Sequence, residues 1–121
     1  MPIDPTGRDL KRYLAEDPGG PVVMLNLLRF TGDDGRASYR RYTAALADYL
    51  PSIGARVLHV GDLGTQVVDR DDFDWDVLLV VEYPSRQAFT AMVADPEYQK
   101  VTHLRTEALE EAVLQASTPW S

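Results

Sequence analysis

Two short segments, PVVMLNLLRF at residues 21–30 and DWDVLLVVEYP at residues 74–84, are apolar at odd and even positions alike. Side chains along a strand point alternately to the two faces of its sheet, so a strand apolar on both parities needs cover on both sides. Neither segment approaches the roughly 20 apolar residues of a membrane-spanning helix. The chain must therefore build a sheet with one face under its own helices and the other under something else. At 121 residues it holds material for one domain.

The remaining pattern supplies the helices. Residues 6–16, TGRDLKRYLAE, place Leu10, Tyr13 and Leu14 on one stripe behind a Thr6 N-cap, and DPGGP at residues 17–21 ends that helix. After a turn at TGDDG, helical spacing runs from about Ala37 through Tyr39, Tyr42, Leu46 and Ile53 to a closing Gly54. Residues 55–69, ARVLHVGDLGTQVVD, alternate as a second strand, with Gly61 and Gly64 marking a bulge or bend; an acidic turn joins it as a hairpin to the strand at 74–84. Ser85 caps a second helix with Phe89, Met92 and Val93 on its apolar face. Asp95-Pro96 interrupts that helix, and a further helical stretch passes through Tyr98, Val101 and Leu104. The last strand is expected near AVLQAST, residues 112–118.

This order, an N-terminal helix and connector over residues 1–20 and then β-α-β-β-α-β over residues 21–121, is the ferredoxin-like α+β arrangement. Its antiparallel sheet carries both helices on one face. A second subunit is the simplest cover for the other face, so the expectation is a homodimer.

Charge and composition narrow the partners. With 12 Lys+Arg against 19 Asp+Glu the formal net charge is −7, which disfavours binding to phosphate backbones and hence to nucleic acid. No cysteine is present, which removes disulfides, thiolate nucleophiles and cysteine-ligated metals. The acidic run DRDDFDWD at residues 69–76 reads as a solvated turn; it lacks the glycine and terminal glutamate of a calcium loop. The N-terminus MPIDPTGRD has neither the basic nor the apolar segment of a signal peptide, so a cytoplasmic protein away from membranes is expected. No nucleotide, zinc-peptidase or serine-hydrolase motif occurs.

The strand PVVMLNLLRF, the helical segment SYRRYTAALADYLPSIGARVLHVG and the stretch DWDVLLVVEYPSRQAFTAMVADPEYQKVTHLR resemble the uncharacterised family numbered 1330 among the domains of unknown function. EYPSRQAF and DPEYQ, separated by one helix, are the most specific part. The resemblance covers about residues 21–118 and implies membership of the dimeric α/β-barrel superfamily, in which two ferredoxin-like subunits join their sheets into one barrel. Relatives in that superfamily include cofactor-independent monooxygenases, small-molecule isomerases and dehydratases, and haem-degrading monooxygenases. Fold analogy cannot choose among these chemistries.

Asn26 is the anomaly in the first strand, because it shares a face with Val22, Met24, Leu28 and Phe30. A buried carboxamide either bonds within the protein or faces a cavity. The resemblance favours the cavity, since superfamily monooxygenases carry an asparagine on their first strand. Tyr39 and Tyr42, three residues apart, turn toward the sheet as core amphipaths or ligand-orienting hydroxyls; Arg40 and Arg41 beside them are read as solvated. His59 in the second strand, grouped by alternation with Val57 and Gly61, and His103 are candidate acids or bases, or else surface or hydrogen-bonded histidines. Met92, Tyr98 and Arg105 complete the candidate ligand-binding set. Glu82, on the face of Leu78 and Val80, is either paired at the dimer interface, with Arg29 or Arg105 as partners, or a base. Trp75 is expected to pack at an edge.

By resemblance, His103 could also ligate haem iron. Met92 stands where haem-degrading relatives have tryptophan, however, and His103 is displaced by about one residue, or about 100° on a helix. The expectation is a protein that binds or transforms a small, largely apolar, aromatic or polyketide-like metabolite without a tightly bound cofactor or metal. A histidine would take a proton while Asn26 holds an oxyanion. The alternatives are a non-catalytic binding or dimerisation module and, further off, a haem-binding monooxygenase.

Overall fold

The computed structural model describes residues 3–120. Its elements are α1 (Gly7–Ala15), β1 (Val22–Phe30), α2 (Asp33–Ala45), α3 (Tyr49–Ser52), β2 (Arg56–Asp62), β3 (Val77–Tyr83), α4 (Arg86–Ala94), α5 (Pro96–Gln99), α6 (Thr102–Ala108) and β4 (Leu109–Ser117). The strands pair antiparallel in the order β2-β3-β1-β4, with the two strands that are apolar on both parities at the centre. The α+β fold is ferredoxin-like, as the element order predicts.

Local signals explain most element ends. Asp9 N–H donates to Thr6 Oγ1 and Thr6 N–H donates to Asp9 Oδ2, both at 3.0 Å, closing a capping box on α1. Ser85 Oγ accepts from Ala88 N–H, and Asp95 Oδ1 accepts from Glu97 N–H beside Pro96 at the start of α5, each at 3.0 Å. Gly54 follows α3 at φ 78°, the left-handed region where a side chain would be strained.

Several boundaries differ from the sequence expectation. TGDDG is not wholly a turn: α2 starts at Asp33, where Asp33 and Asp34 meet the positive end of the helix dipole. A Cβ on Gly35 would lie 2.4 Å from Thr31 Oγ1 and 2.5 Å from the Ala108 carbonyl oxygen, so glycine lets α2 dock against the end of α6. The helix expected to continue to Ile53 breaks after Ala45 into α2 and α3; Pro51 lacks the N–H and clashes with the carbonyl that a continuous helix would place beneath it. β2 ends at Asp62, and residues 63–76 form an irregular loop in place of a short hairpin turn, with Val67 and Val68 solvent-exposed. β4 begins at Leu109, directly from α6 and ahead of the predicted start.

The helix-side face of the sheet carries Val22, Met24, Leu28 and Phe30 from β1 and Leu79, Val81 and Tyr83 from β3. It packs against Tyr39, Tyr42, Leu46, Phe89, Met92 and Tyr98. Leu28 and Val22 are the largest fully buried side chains, and removing each from water contributes about 1.5–3 kcal/mol. α1 lies beside α4, with Tyr13 edge-on to Phe89 at 5.7 Å and Arg86 Nη1 donating to the Tyr13 carbonyl at 2.7 Å. The opposite face presents Val23, Leu25, Leu27, Leu78 and Val80, half-buried with no helix over them. At its margins Arg56 pairs with Glu82 at 3.1 Å, and Arg29 pairs with Glu111 while stacking over Trp75 at 5.2 Å. Glu82 thus takes Arg56, not Arg29 or Arg105, because Arg56 lies directly across the β2–β3 ladder.

Candidate functional site

β2 crosses β3 with a bulge between Val57 and His59, and the bulge changes which side chains face the helices. Beyond it His59 lies opposite Val80 on the open face, whereas Val60 lies opposite Leu79. Strict alternation grouped His59 with Val57; the extra residue separates them, and His59 points away from the helix layer. The helix side of the sheet is left concave between β1, β3, α2 and the α4–α6 stretch.

That concavity is a cavity of about 630 Å³, and it brings together Asn26, Tyr39, Tyr42, Met92, Tyr98 and Arg105. Apolar walls come from Leu46, Ala55, Val81 and Phe89, while the exposed residues Ala47, Gln99 and Thr106 lie toward solvent. A second cavity of about 500 Å³ lies between α1, α4 and β4, and Asp4, Pro5, Phe89 and Leu114 line both spaces.

Asn26 stands on β1 with 7% of its surface exposed. Its Nδ2 donates to the carbonyls of Met24 and Leu79, each at 3.3 Å. Two carbonyl acceptors at one end of the carboxamide identify that end as nitrogen. Both N–H bonds are spent, and the free end is the carbonyl oxygen, an acceptor. An oxyanion role requires free N–H donors, whereas in this geometry the Asn26 side chain turns its carbonyl oxygen, an acceptor, to a ligand.

The donors come from the helices. Tyr42 and Tyr98 hydroxyls lie 2.6 Å apart, and since one hydrogen is shared between them, the other remains available. Tyr39 packs on Phe30 and Tyr42, and its hydroxyl bonds to no described residue. Burial pushes Tyr39 up to about 12 and raises Tyr42, Tyr98 and Tyr83 as well, with neighbouring tyrosines adding to the rise at Tyr42 and Tyr83. All four therefore hold their protons at neutral pH.

Arg105 is a cation with 6% of its surface exposed. Its Nη1 donates to the Ile3 carbonyl and to Asp4 Oδ1, both at 2.7 Å, and Nη2 has no partner among the described residues. Asp4 Oδ2 accepts from Thr106 Oγ1 at 3.0 Å. Sequence reasoning missed Asp4, because a contact between residues 4 and 105 leaves no local periodicity to read.

Neither histidine joins the site. Thr102, Arg105 and Thr106 share the cavity-facing side of α6, and His103, two positions before Arg105 and so about 200° around the helix, is exposed on the outside. A haem held in this cavity through His103 does not fit that orientation. His59 is exposed on the open sheet face. Among the described residues, no group of three or more His, Asp or Glu side chains is gathered to hold a metal ion, and no helix is long and apolar enough to cross a membrane. The acidic loop is engaged by neighbours: Asp76 Oδ2 accepts from Phe30 N–H at 2.9 Å, and the Asp74 carbonyl accepts from Arg29 at 3.1 Å.

Over residues 30–117 the chain matches the domain of unknown function DUF1330, and it belongs to that family. No curated protein matches it. It is similar to the crystal structure of a protein of unknown function from Rhodopseudomonas palustris, at 30% identity and TM-score 0.86 over 98% of this chain and 97% of that one. A dimeric ferredoxin-like protein of unknown function from Jannaschia sp. shares the fold at 10% identity and TM-score 0.64, over 83% of this chain and 100% of that one. So does a hydroxynitrile lyase from Passiflora edulis, at 16% identity and TM-score 0.63, over 83% of this chain and 94% of that one. Several neighbouring structures are of dimeric ferredoxin-like proteins.

Proposed function

We propose that this DUF1330 protein is a homodimer in which each subunit binds a small, largely apolar molecule in the cavity between sheet and helices. The observation that carries the reading is the cavity itself. Its volume of about 630 Å³ falls within the roughly 300–1,000 Å³ of drug-sized ligand sites, and mostly apolar walls surround a few convergent polar groups. A core built only for stability closes such a space, because unfilled volume destabilises it. The uncovered face with Leu25, Leu27, Leu78 and Val80 supports the homodimer.

Binding is favoured over proton-transfer catalysis by the residues present. Both histidines lie outside the cavity, the Asn26 N–H groups are spent on backbone carbonyls, and burial keeps the cavity tyrosines protonated. Isothermal titration calorimetry with naphthalene-2-carboxamide, a neutral bicyclic probe, tests the reading. The expected result is saturable binding at one site per subunit, lost in a folded Leu46→Trp variant whose indole fills the space. Absence of binding to the native protein, or binding unaltered by Leu46→Trp, overturns it.

A further inference from the structure

The least satisfied group around the cavity is Arg105. Its guanidinium is almost wholly buried, yet only Nη1 has acceptors, and both N–H bonds of Nη2 are unmatched among the described residues. An unpaired buried donor is destabilising, and more so when it carries charge, so the protein keeps this arrangement at a standing cost. None of the described groups on the cavity wall bonds to it: the Tyr42 and Tyr98 hydroxyls bond to each other, and Asn26 sits on β1 with its amide turned to backbone carbonyls. Arg105 is close enough to act electrostatically on Tyr39, Tyr42 and Tyr98. A guanidinium with free N–H bonds, beside phenol hydroxyls that hold their protons, makes one end of the cavity a cluster of donors around a positive charge.

We propose that the ligand's polar end is a carboxylate, bound by Arg105 Nη2 with help from the tyrosine hydroxyls, and that Asp4 tempers this affinity from the other side of the guanidinium. The inference rests on the binding reading above. A planar carboxylate satisfies adjacent guanidinium and hydroxyl donors together, and charge-assisted bonds of this kind are about twice as strong as neutral ones. Asp4 occupies Nη1 and is anchored by Thr106, so Arg105 is already half neutralised before any ligand arrives. The incoming anion meets a like charge one guanidinium nitrogen away. Asp4 belongs to the segment preceding α1 and its side chain is about half exposed, which gives this segment a purpose beyond packing: it sets how tightly an anion is held.

The test is the ratio of affinities for naphthalene-2-carboxylate and naphthalene-2-carboxamide, which share a shape and differ in charge. In the native protein the carboxylate is expected to bind about tenfold more tightly, the difference between a charged and a neutral hydrogen bond. Asp4→Asn raises that ratio severalfold by removing the competing charge, and Arg105→Gln brings it to about one. Should Arg105→Gln fail to fold, Asp4→Asn alone decides. If the carboxamide binds and the carboxylate shows no preference, or if Asp4→Asn leaves the ratio where it was, this inference fails while the binding reading stands. If neither probe binds, both fail.

Discussion

Asn26 offers the sharpest test of the site's geometry. Replacing it with leucine keeps the size and removes both donors to the Met24 and Leu79 carbonyls. At 3.3 Å both bonds are long, so the expected loss is about 1–2 kcal/mol in total. Replacing it with aspartate is chemically harsher despite the near-identical shape. A carboxylate would set oxygen against two carbonyl oxygens in a buried site, which favours the protonated form and raises the folded-state pKa above the unfolded value of about 3.9. For a group so raised, stability is retained below the unfolded pKa and lost as pH climbs through the folded one. Urea unfolding followed by circular dichroism, at one fixed protein concentration, should place Asn26→Asp below Asn26→Leu at neutral pH. The gap should narrow as pH falls toward about 4. An Asn26→Asp protein as stable as the native one at neutral pH would refute the assignment of Nδ2 as the donor to these carbonyls, and with it the acceptor role given to Asn26.

The tyrosines and the open face yield two more predictions. Burial pushes Tyr13 and Tyr39 up to about 12, and burial together with the Asp95 hydrogen bond does the same at Tyr49; Tyr42, Tyr83 and Tyr98 are also raised. Their contribution to stability is therefore complete below the unfolded value of about 10 and is lost as pH rises from there, so phenolate absorbance should appear together with unfolding. Half or more of the tyrosines ionising near pH 10 in a still-folded protein would contradict the burial described. Sedimentation velocity should give a dimer, and Val80→Lys, which places a charge in the centre of the uncovered face, should give a folded monomer; a dimer unaffected by that change moves the interface elsewhere.

Much of the fold was legible because its signals are local. Unbroken apolar runs specified β1 and β3 and the need for cover on both sides, while Thr6, Ser85, Asp95-Pro96 and Gly54 marked helix ends through hydrogen bonds or φ angles reaching only a few residues. Asn26, Tyr39, Tyr42, Met92, Tyr98 and Arg105 could be nominated as cavity residues by residue type, periodicity and family resemblance. The sequence did not decide the facing of β2 beyond its bulge, since one unpaired residue reverses every later side chain. Nor did it decide the way round of the Asn26 amide, which depends on carbonyls that the sheet brings to it, one of them from Leu79. The pairing of Arg105 with Asp4 was beyond it too, because that contact joins the two ends of the chain. What the sequence determined by itself were the elements and their order, which follow from short-range backbone and solvent preferences. What only the tertiary structure decided was which polar atoms remain unspent inside the cavity, because hydrogen-bond satisfaction depends on groups that meet only when distant segments pack.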